Sequence, residues 1–287
     1  MQPARVRVAM LAGFCLFAAG ILLSSAASAP PATPPGALVS SDFIFSFNAP
    51  GALEEAPSAS ESSSPYWFLD SGGRLLIEEG IGETVHGELP ESDRWREAYA
   101  LSSALDTDGG RHPQNLFRLI TRSRWSDATT TVAVRIDADN LSASPNRNES
   151  NGLHLMSRYQ DSDTLYYAGI RVDGLAAIKK KYRGVYYTMA EVRLFPGTYA
   201  RATSPTLLPQ GEWLGMRVET RDLPGGSVRL TLSLTGADGL WRPVLTAVDD
   251  GRYGGTPPIT EPGALGIRTD FMDVSFKDIR ITGLKVR

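Results

Sequence analysis

The 287-residue sequence contains a single cysteine, Cys15, and only three histidines. Cys15 lies in an N-terminal segment that we expect to be removed, which excludes a disulfide framework and a thiolate metal site from the mature chain. His86 and His112 have no neighbours at metal-ligand spacing, which argues against zinc. We therefore expect burial of apolar side chains to provide the stability of the fold.

Long hydrophobic runs are missing after residue 29, and so are the short motifs of several enzyme classes. The chain has no phosphate-binding loop, no dinucleotide fingerprint and no Gly-x-Ser-x-Gly elbow. Its net charge is -3, without a basic domain, so nucleic acid is not an expected partner. The candidate functional residues are therefore the exposed side chains of the strands.

One long apolar run does occur, at residues 8–23, after Arg5 and Arg7 and before small residues that end at Ala29. This layout is typical of a bacterial secretory signal. We expect residues 1–29 to be a signal peptide, residues 30–40 a Pro-rich tether and residues 41–287 one domain. An uncleaved anchor is the alternative, although the run is shorter than the roughly 20 residues of a spanning helix. The expected location is the periplasm or the exterior, without membrane contact after cleavage.

Short alternating runs, separated by Gly-, Pro- and Asp-rich turns, fill the rest of the chain. Examples are "TTTVAVRID", "LYYAGIRVD" and "SVRLTLSLT". Alternation predicts strands, and about a dozen strands without intervening helices predict an all-β fold, a two-sheet antiparallel β-sandwich or jelly roll. The run "SDRWREAYALSSAL" is the one place where a helical turn or two is expected.

Residues 151–191 contain the densest pattern of cations and aromatic side chains. Residues two apart in a strand share a face, so Leu153 and Leu155 are predicted to point to the core together with Ala168, Ile170 and Ile178. The opposite face is predicted to present His154, Arg158, Tyr167, Arg171, Lys179 and Lys181. The upstream run "NLFRLITR" adds Arg118 and Arg122 to the same surface or to a neighbouring one.

Three interpretations of this surface are open. Guanidinium groups bind carboxylates or sulfates in a bidentate fork, and tyrosine rings stack on sugar rings, which favours binding of an acidic polysaccharide. Removal of the proton alpha to a uronate carboxylate also needs a cation and a base, and His154 and Tyr167 are the candidate catalytic residues. A solvated sheet face without ligand is the third interpretation, since such faces are ordinarily rich in these residues.

Four stretches, in chain order, are similar to the laminin-G-like and concanavalin-A-like lectin and glucanase jelly rolls. They are "NGLHLMSRYQDSDTLYYAGIRVDG", "IKKKYRGVYYTMAE", "LLPQGEWLGMRVETR" and "GALGIRTDFMDVSFKDIRIT". The resemblance runs from about Asp42 to Val286 and implies a jelly roll. It also implies a role with carbohydrates, as a lectin, binding module, hydrolase or lyase.

Two activities of that superfamily can be compared with the residues present. The Glu-x-Asp-x-x-Glu strand of the retaining glucanases is missing, so the carboxylate pair for glycosidic hydrolysis is not visible. The segment "LYYAGIRVD" is weakly similar to one strand of the alginate-lyase-like members, but their Gln-x-His pattern is not present. If the protein is an enzyme, we expect a lyase rather than a hydrolase.

We expect that no cofactor is required. The superfamily resemblance implies an optional structural calcium ion, for which Asp42 and Asp273 are the candidate ligands. The sequence as a whole predicts an exported protein that binds an acidic polysaccharide on its concave sheet. The expected substrate-binding residues are Arg158, Arg171, Lys179, Lys181, Arg118 and Arg122. A uronate-specific lyase or a hydrolase is the first alternative, and a structural envelope protein without glycan affinity is the second.

Overall fold

The computed structural model describes residues 36–236 and 238–286, so the predicted signal peptide lies outside the described residues. Within them the chain forms one compact unit of short antiparallel strands. The elements are β1 Leu38–Phe45, β2 Gly51–Glu54, β3 Trp67–Ser71, β4 Arg74–Glu78, β5 Ile81–Glu83, α1 Arg94–Ser102, a 3₁₀ helix Pro113–Leu116, β6 Arg118–Thr121, β7 Trp125–Asp139, β8 Gly152–Asp161, β9 Thr164–Arg171, β10 Leu175–Tyr182, β11 Val185–Arg193, β12 Leu214–Leu223, β13 Ser227–Thr235, β14 Trp241–Asp249, β15 Ala264–Thr269 and β16 Met272–Val286.

The described strands form two sheets. The first sheet has nine strands in the order β14-β13-β12-β7-β16-β5-β4-β2, and β1 pairs with the later part of β16. The second sheet has seven strands in the order β11-β10-β9-β8-β15-β6-β3. The predicted two-sheet all-β jelly roll is confirmed. The first strand begins at Leu38, within the segment 30–40 that the sequence marks as a tether.

A large apolar core lies between the two sheets. It includes Leu153 and Leu155 of β8, Ile170 of β9 and Ile178 of β10, so the predicted inward face of this segment is confirmed. The opposing sheet contributes side chains such as Val132, and alternating burial along β7 shows the two-residue period directly. Among the described residues, no helix is long and apolar enough to span a membrane.

The predicted helical turns occur as α1. Asp93 caps its N-terminus by accepting a hydrogen bond from the Trp95 amide at 2.9 Å. Tyr99 is the buried residue of this helix, and its hydroxyl accepts a hydrogen bond from the Gly72 amide at 2.7 Å. This contact fixes α1 beside one end of the second sheet, where it borders the candidate site described below.

A buried ion pair joins the two sheets. Lys180 of β10 has its ammonium 2.7 Å from a carboxylate oxygen of Asp249 at the end of β14, and both side chains are fully buried. The Tyr166 hydroxyl donates to the same carboxylate at 2.6 Å and accepts from the Ile259 amide. The lysine also donates to the carbonyl groups of Thr256 and Pro257. The buried charges are thus paired and hydrogen-bonded, as burial requires.

We expect Lys180→Met to destabilise the fold by about 3–5 kcal/mol, because it leaves the Asp249 carboxylate buried without its cation. Urea unfolding monitored by tryptophan fluorescence measures the change. Arg252→Met, which removes an exposed arginine paired with Asp250, is the control and should leave the midpoint unchanged. A Lys180→Met midpoint equal to that of the native protein would contradict a stabilising role for the pair.

Candidate functional site

Strand register brings chemically active side chains together on the outer face of the second sheet. His154 pairs with Arg268 of β15 on one side and with Gly169 of β9 on the other. Two residues before Gly169 in β9, Tyr167 pairs with Lys179 of β10. A side chain at position 169 would collide with the β8 backbone, since a Cβ there would lie 2.1 Å from the Leu153 carbonyl. The glycine therefore permits the close approach of β8 and β9 at the site.

Two cavities of about 440 and 510 Å³ adjoin on this face. They have five lining residues in common, namely Leu116, Tyr167, Tyr186, Arg268 and Asp270. We use the name cationic face for eight ionisable residues that line these cavities, seven of them on strands of the second sheet and one, Asp270, directly after β15. They are Arg118, His154, Tyr167, Lys179, Lys181, Tyr186, Arg268 and Asp270.

Elements outside the second sheet form the walls of the two cavities. Helix α1 and the segment after it contribute Tyr99, Ser102 and Ser103 to the smaller cavity. The loop between β7 and β8 contributes amide and hydroxyl side chains to the larger one, namely Asn146, Asn148, Ser150 and Asn151. Both cavities fall within the range of about 300–1,000 Å³ that is usual for small-ligand sites.

Arg268 occupies the centre of the cationic face. Its guanidinium pairs with the Asp270 carboxylate at 2.8 Å. A third guanidinium nitrogen donates to the hydroxyl oxygens of Tyr167 at 3.1 Å and Tyr186 at 3.3 Å. Burial alone would lower its pKa, but Asp270 and the two tyrosines raise the pKa of Arg268 well above its usual value. Arg268 is therefore a permanent cation that orients both phenol groups.

The two tyrosines stack with ring centroids 6.0 Å apart, yet they differ in exposure and in acidity. Tyr167 is buried, and this burial raises its pKa above the usual value. Tyr186 is 50% exposed. Burial of part of its ring raises the pKa of Tyr186, but the neighbouring Arg268 charge outweighs that effect, so the pKa is lowered overall. Tyr186 is thus the more acidic and the more accessible phenol.

His154 and Lys179 are both affected by the surrounding positive charge. Burial, followed by repulsion from Arg268 and Lys179, holds the pKa of His154 well below its usual value, so the ring is neutral at pH 7. Burial and the nearby Arg171 lower the pKa of Lys179. Among residues 36–236 and 238–286, no carboxylate lies within 4.0 Å of the Lys179 ammonium. Lys179 is therefore the cation of this face that lacks a direct partner in the described chain.

The structure brings five of the residues predicted from the sequence onto the cationic face, namely His154, Tyr167, Lys179, Lys181 and Arg118. Lys181 pairs with Asp163 at 2.8 Å, and Arg118 pairs with Asp70 at 3.1 Å. Arg171 lies at the border but outside the cavity linings. It is buried between Asp173 and Glu191, which neutralise its charge.

Arg158 is placed on the wrong face by simple alternation. It adopts φ 51° inside β8, where the pairing with β9 changes register. This irregularity turns its side chain inward, where it is fully buried and contacts Asp222 at 2.8 Å and Asp127 at 3.5 Å. Both aspartates belong to the first sheet, so Arg158 connects the two sheets and does not reach the cavities.

Three other predicted residues lie apart from the cationic face. Arg122 lines a separate cavity, which is described below. Asp42 is exposed and paired with Arg280, and the buried Asp273 accepts hydrogen bonds from the Gly87 amide and from the side chains of Gln114 and Asn140. Asp42 aligns with Thr282 of β16, so about 30 Å of strand separates it from Asp273. These two residues cannot share a calcium ion, and the described chain contains no group of three metal-ligand side chains.

Arg268, Tyr186 and Asp270 are the site residues that the sequence predictions missed. Alternation in "GALGIRT" does place Arg268 opposite the core residue Ile267, so the signal for its orientation is present. The pairing of β15 with β8 is not readable from either strand, because more than 100 residues separate them. Tyr186 follows a tight turn at Gly184 and pairs with Lys181, so the two side chains share a face.

Neither a family model nor a curated protein matches the sequence. Similar solved structures include carbohydrate-binding module CBM66 from Bacillus subtilis, with 14% identity and a TM-score of 0.47 over 76% of this chain and 95% of that one. A Bacillus licheniformis beta-glucanase has 9% identity and a TM-score of 0.43 over 84% and 97%. Alginate lyase Aly36B has 10% identity and a TM-score of 0.41 over 86% and 98%. These similarities concern strand arrangement alone.

His154 should make stability depend on pH. Its folded pKa lies below the value of about 6.5 that it has in the unfolded chain, so only the unfolded state gains a proton just below pH 6.5. Stability is then fully present above about pH 6.5 and falls as the pH decreases, by about 1.4 kcal/mol per pH unit.

Urea unfolding at a series of pH values compares the native protein with His154→Gln. In the variant, the free energy of unfolding should depend less on pH, because the contribution of His154 is missing. Carboxylates such as Glu55 contribute equally to the pH dependence of both proteins. Equal slopes for the two proteins would show that His154 titrates normally.

Proposed function

We propose that this protein is exported and that its cationic face binds an acidic polysaccharide. The observation that carries the proposal is the arrangement of Lys179, without a direct carboxylate partner in the described chain, beside Arg268 and the exposed ring of Tyr186. A cation that is partly withdrawn from water and lacks a counter-ion favours an anionic ligand. The flanking tyrosine gives that ligand an apolar face to rest on.

The cavities also supply the groups that a sugar chain requires. The side-chain amides of Asn148 and Asn151 line the larger cavity near Lys179, and amides both donate to and accept from hydroxyl groups. Lys181 lines the smaller cavity, and its ammonium lies 5.0 Å from the centroid of the Tyr186 ring. A polymer with a carboxylate on successive residues would therefore meet a cation in each cavity while its sugar rings pass Tyr186, which lines both cavities.

Affinity for an acidic polymer should depend on the central cations. We expect Lys179→Ala and Arg268→Ala each to weaken binding by about tenfold or more, because each removes a charge-assisted contact. Isothermal titration calorimetry with polygalacturonate and alginate, and with neutral dextran as the comparison, measures the affinity. Arg252→Ala, which removes an exposed arginine away from both cavities, should leave it unchanged.

Equal affinity for dextran and for the acidic polymers would contradict the assignment of an acidic ligand. No binding across the panel would instead favour the structural envelope role. Equal affinity in Lys179→Ala, Arg268→Ala and the native protein would place the ligand elsewhere on the molecule.

Tyr186 favours a second candidate function, which is cleavage of a uronate polymer by β-elimination. Its lowered pKa and its exposure suit a base that removes the proton alpha to the carboxylate. The electron pair of that C–H bond forms a C=C bond as the glycosidic C–O bond breaks, and the leaving oxygen takes a proton from water. Tyr167 retains its proton because its pKa is raised, and it adjoins Tyr186. His154 is buried, and its ring meets Tyr167 edge-on at a centroid distance of 6.1 Å, so we assign it to the support of Tyr167.

The elimination reaction predicts an ultraviolet-absorbing unsaturated product from polygalacturonate or alginate. We expect Tyr186→Phe to reduce the rate by about a hundredfold or more, because the base is removed, while polymer affinity stays within about threefold. Absorbance and calorimetry of the same samples measure both quantities. Binding without product from any acidic polymer would exclude the lyase and leave the binding function intact.

A further inference from the structure

A third cavity lies at the junction of the two sheets and shares no lining residue with the cationic face. Its volume is about 490 Å³. One wall comes from β1 and the end of β16, which contribute Phe43 and Lys285. The other wall comes from Pro65 and Tyr66, before β3, and from the segment between β6 and β7, which contributes Arg122 and Ser123.

Tyr66 presents a supported aromatic surface to this cavity. Its side chain is 51% exposed. The ring packs against Phe43 at a centroid distance of 5.4 Å and against Phe45 at 6.1 Å, so two phenylalanines support it. An exposed tyrosine ring that is held by packing can stack on a ligand without loss of further side-chain freedom.

Backbone pairing fixes a cation beside that ring. The Arg122 amide donates to the Tyr66 carbonyl at 2.8 Å, and the Arg122 guanidinium donates to the Ser64 carbonyl at 2.8 Å. The guanidinium therefore keeps donors that are not used within the described chain. Lys285 contributes a second positive charge from the opposite wall.

No carboxylate within residues 36–236 and 238–286 lies within 4.0 Å of Arg122 or Lys285. Other exposed arginines differ, since Arg280 pairs with Asp42 and Arg242 with Asp238. Two cations that line one cavity without a carboxylate partner in the described chain favour an anionic ligand there. The supported Tyr66 ring favours an anion with a flat or ring-shaped apolar face.

We propose that this cavity is a second binding site, which takes a single acidic sugar residue with its ring on Tyr66 and its carboxylate between Arg122 and Lys285. The proposal does not rest on the function of the cationic face, because the two sites have no residue in common. It requires a carboxylated monosaccharide to be sufficient as ligand, whereas the cationic face spans two cavities and suits a chain.

The test is a titration of the purified full chain with sodium D-glucuronate, monitored through backbone amide resonances in NMR spectra. We expect saturable shifts of Tyr66, Arg122 and Ser123, and no such shifts with D-glucose. Arg122→Ala should weaken glucuronate binding at this cavity by about tenfold or more, because the guanidinium contact is lost. Arg252→Ala, an exposed arginine elsewhere, should leave binding there unchanged, and so should Arg268→Ala on the cationic face.

Absence of saturable shifts at Tyr66, Arg122 and Ser123 would overturn the proposal, as would shifts that Arg122→Ala leaves unaltered. Unchanged amide spectra of the variants outside the substituted region establish that they are folded. Shifts confined to Tyr167, Lys179 and Arg268 would support the cationic face and refute the second site. Shifts confined to Tyr66, Arg122 and Ser123 would support the second site.

Discussion

The side chains of β10 point alternately to the cationic face and to the core. The residues on one face therefore determine which residues must occupy the other. Lys179 and Lys181 can point outward only if Lys180 points inward, because successive residues of a strand lie on opposite faces. An inward lysine between two apolar layers requires an anion, which Asp249 of the other sheet provides. The run of three lysines is thus tolerated because the sandwich contains one carboxylate at the matching position.

The same inward lysine and its partners hold the loop that follows β14. Lys180 donates to two carbonyl groups of this loop, and Tyr166 accepts from the amide of Ile259. On the opposite side of β10 and β9, Tyr167 and Lys179 belong to the cationic face. A rigid sheet therefore presents the binding residues, and its rigidity derives in part from polar contacts within the core.

Charge is distributed unevenly over the second sheet and its border. Arg118, Arg171 and Lys181 are each paired with carboxylates, whereas Lys179 has no such partner in the described chain. The charge of a paired cation is offset by its carboxylate, while a cation without a partner in the described chain favours an anionic ligand. The proposed functions consequently depend on a few positions, and most of the cations that the sequence displays have structural partners.

The fold class, the helical segment before the 3₁₀ helix and the inward face of residues 153–178 are predictable from the sequence, because side-chain periodicity is a local property. The same alternation predicts that His154, Tyr167 and Lys179 share an outer face. The other residues of that face depend on how the strands pair. Strand pairing and register bring Arg268 and Tyr186 onto the cationic face. A local irregularity in β8 turns the Arg158 side chain away from it. The pairing of β15 with β8 joins segments more than 100 residues apart, and the partners of Arg158 lie on β7 and β12 of the other sheet, so no local pattern encodes these contacts.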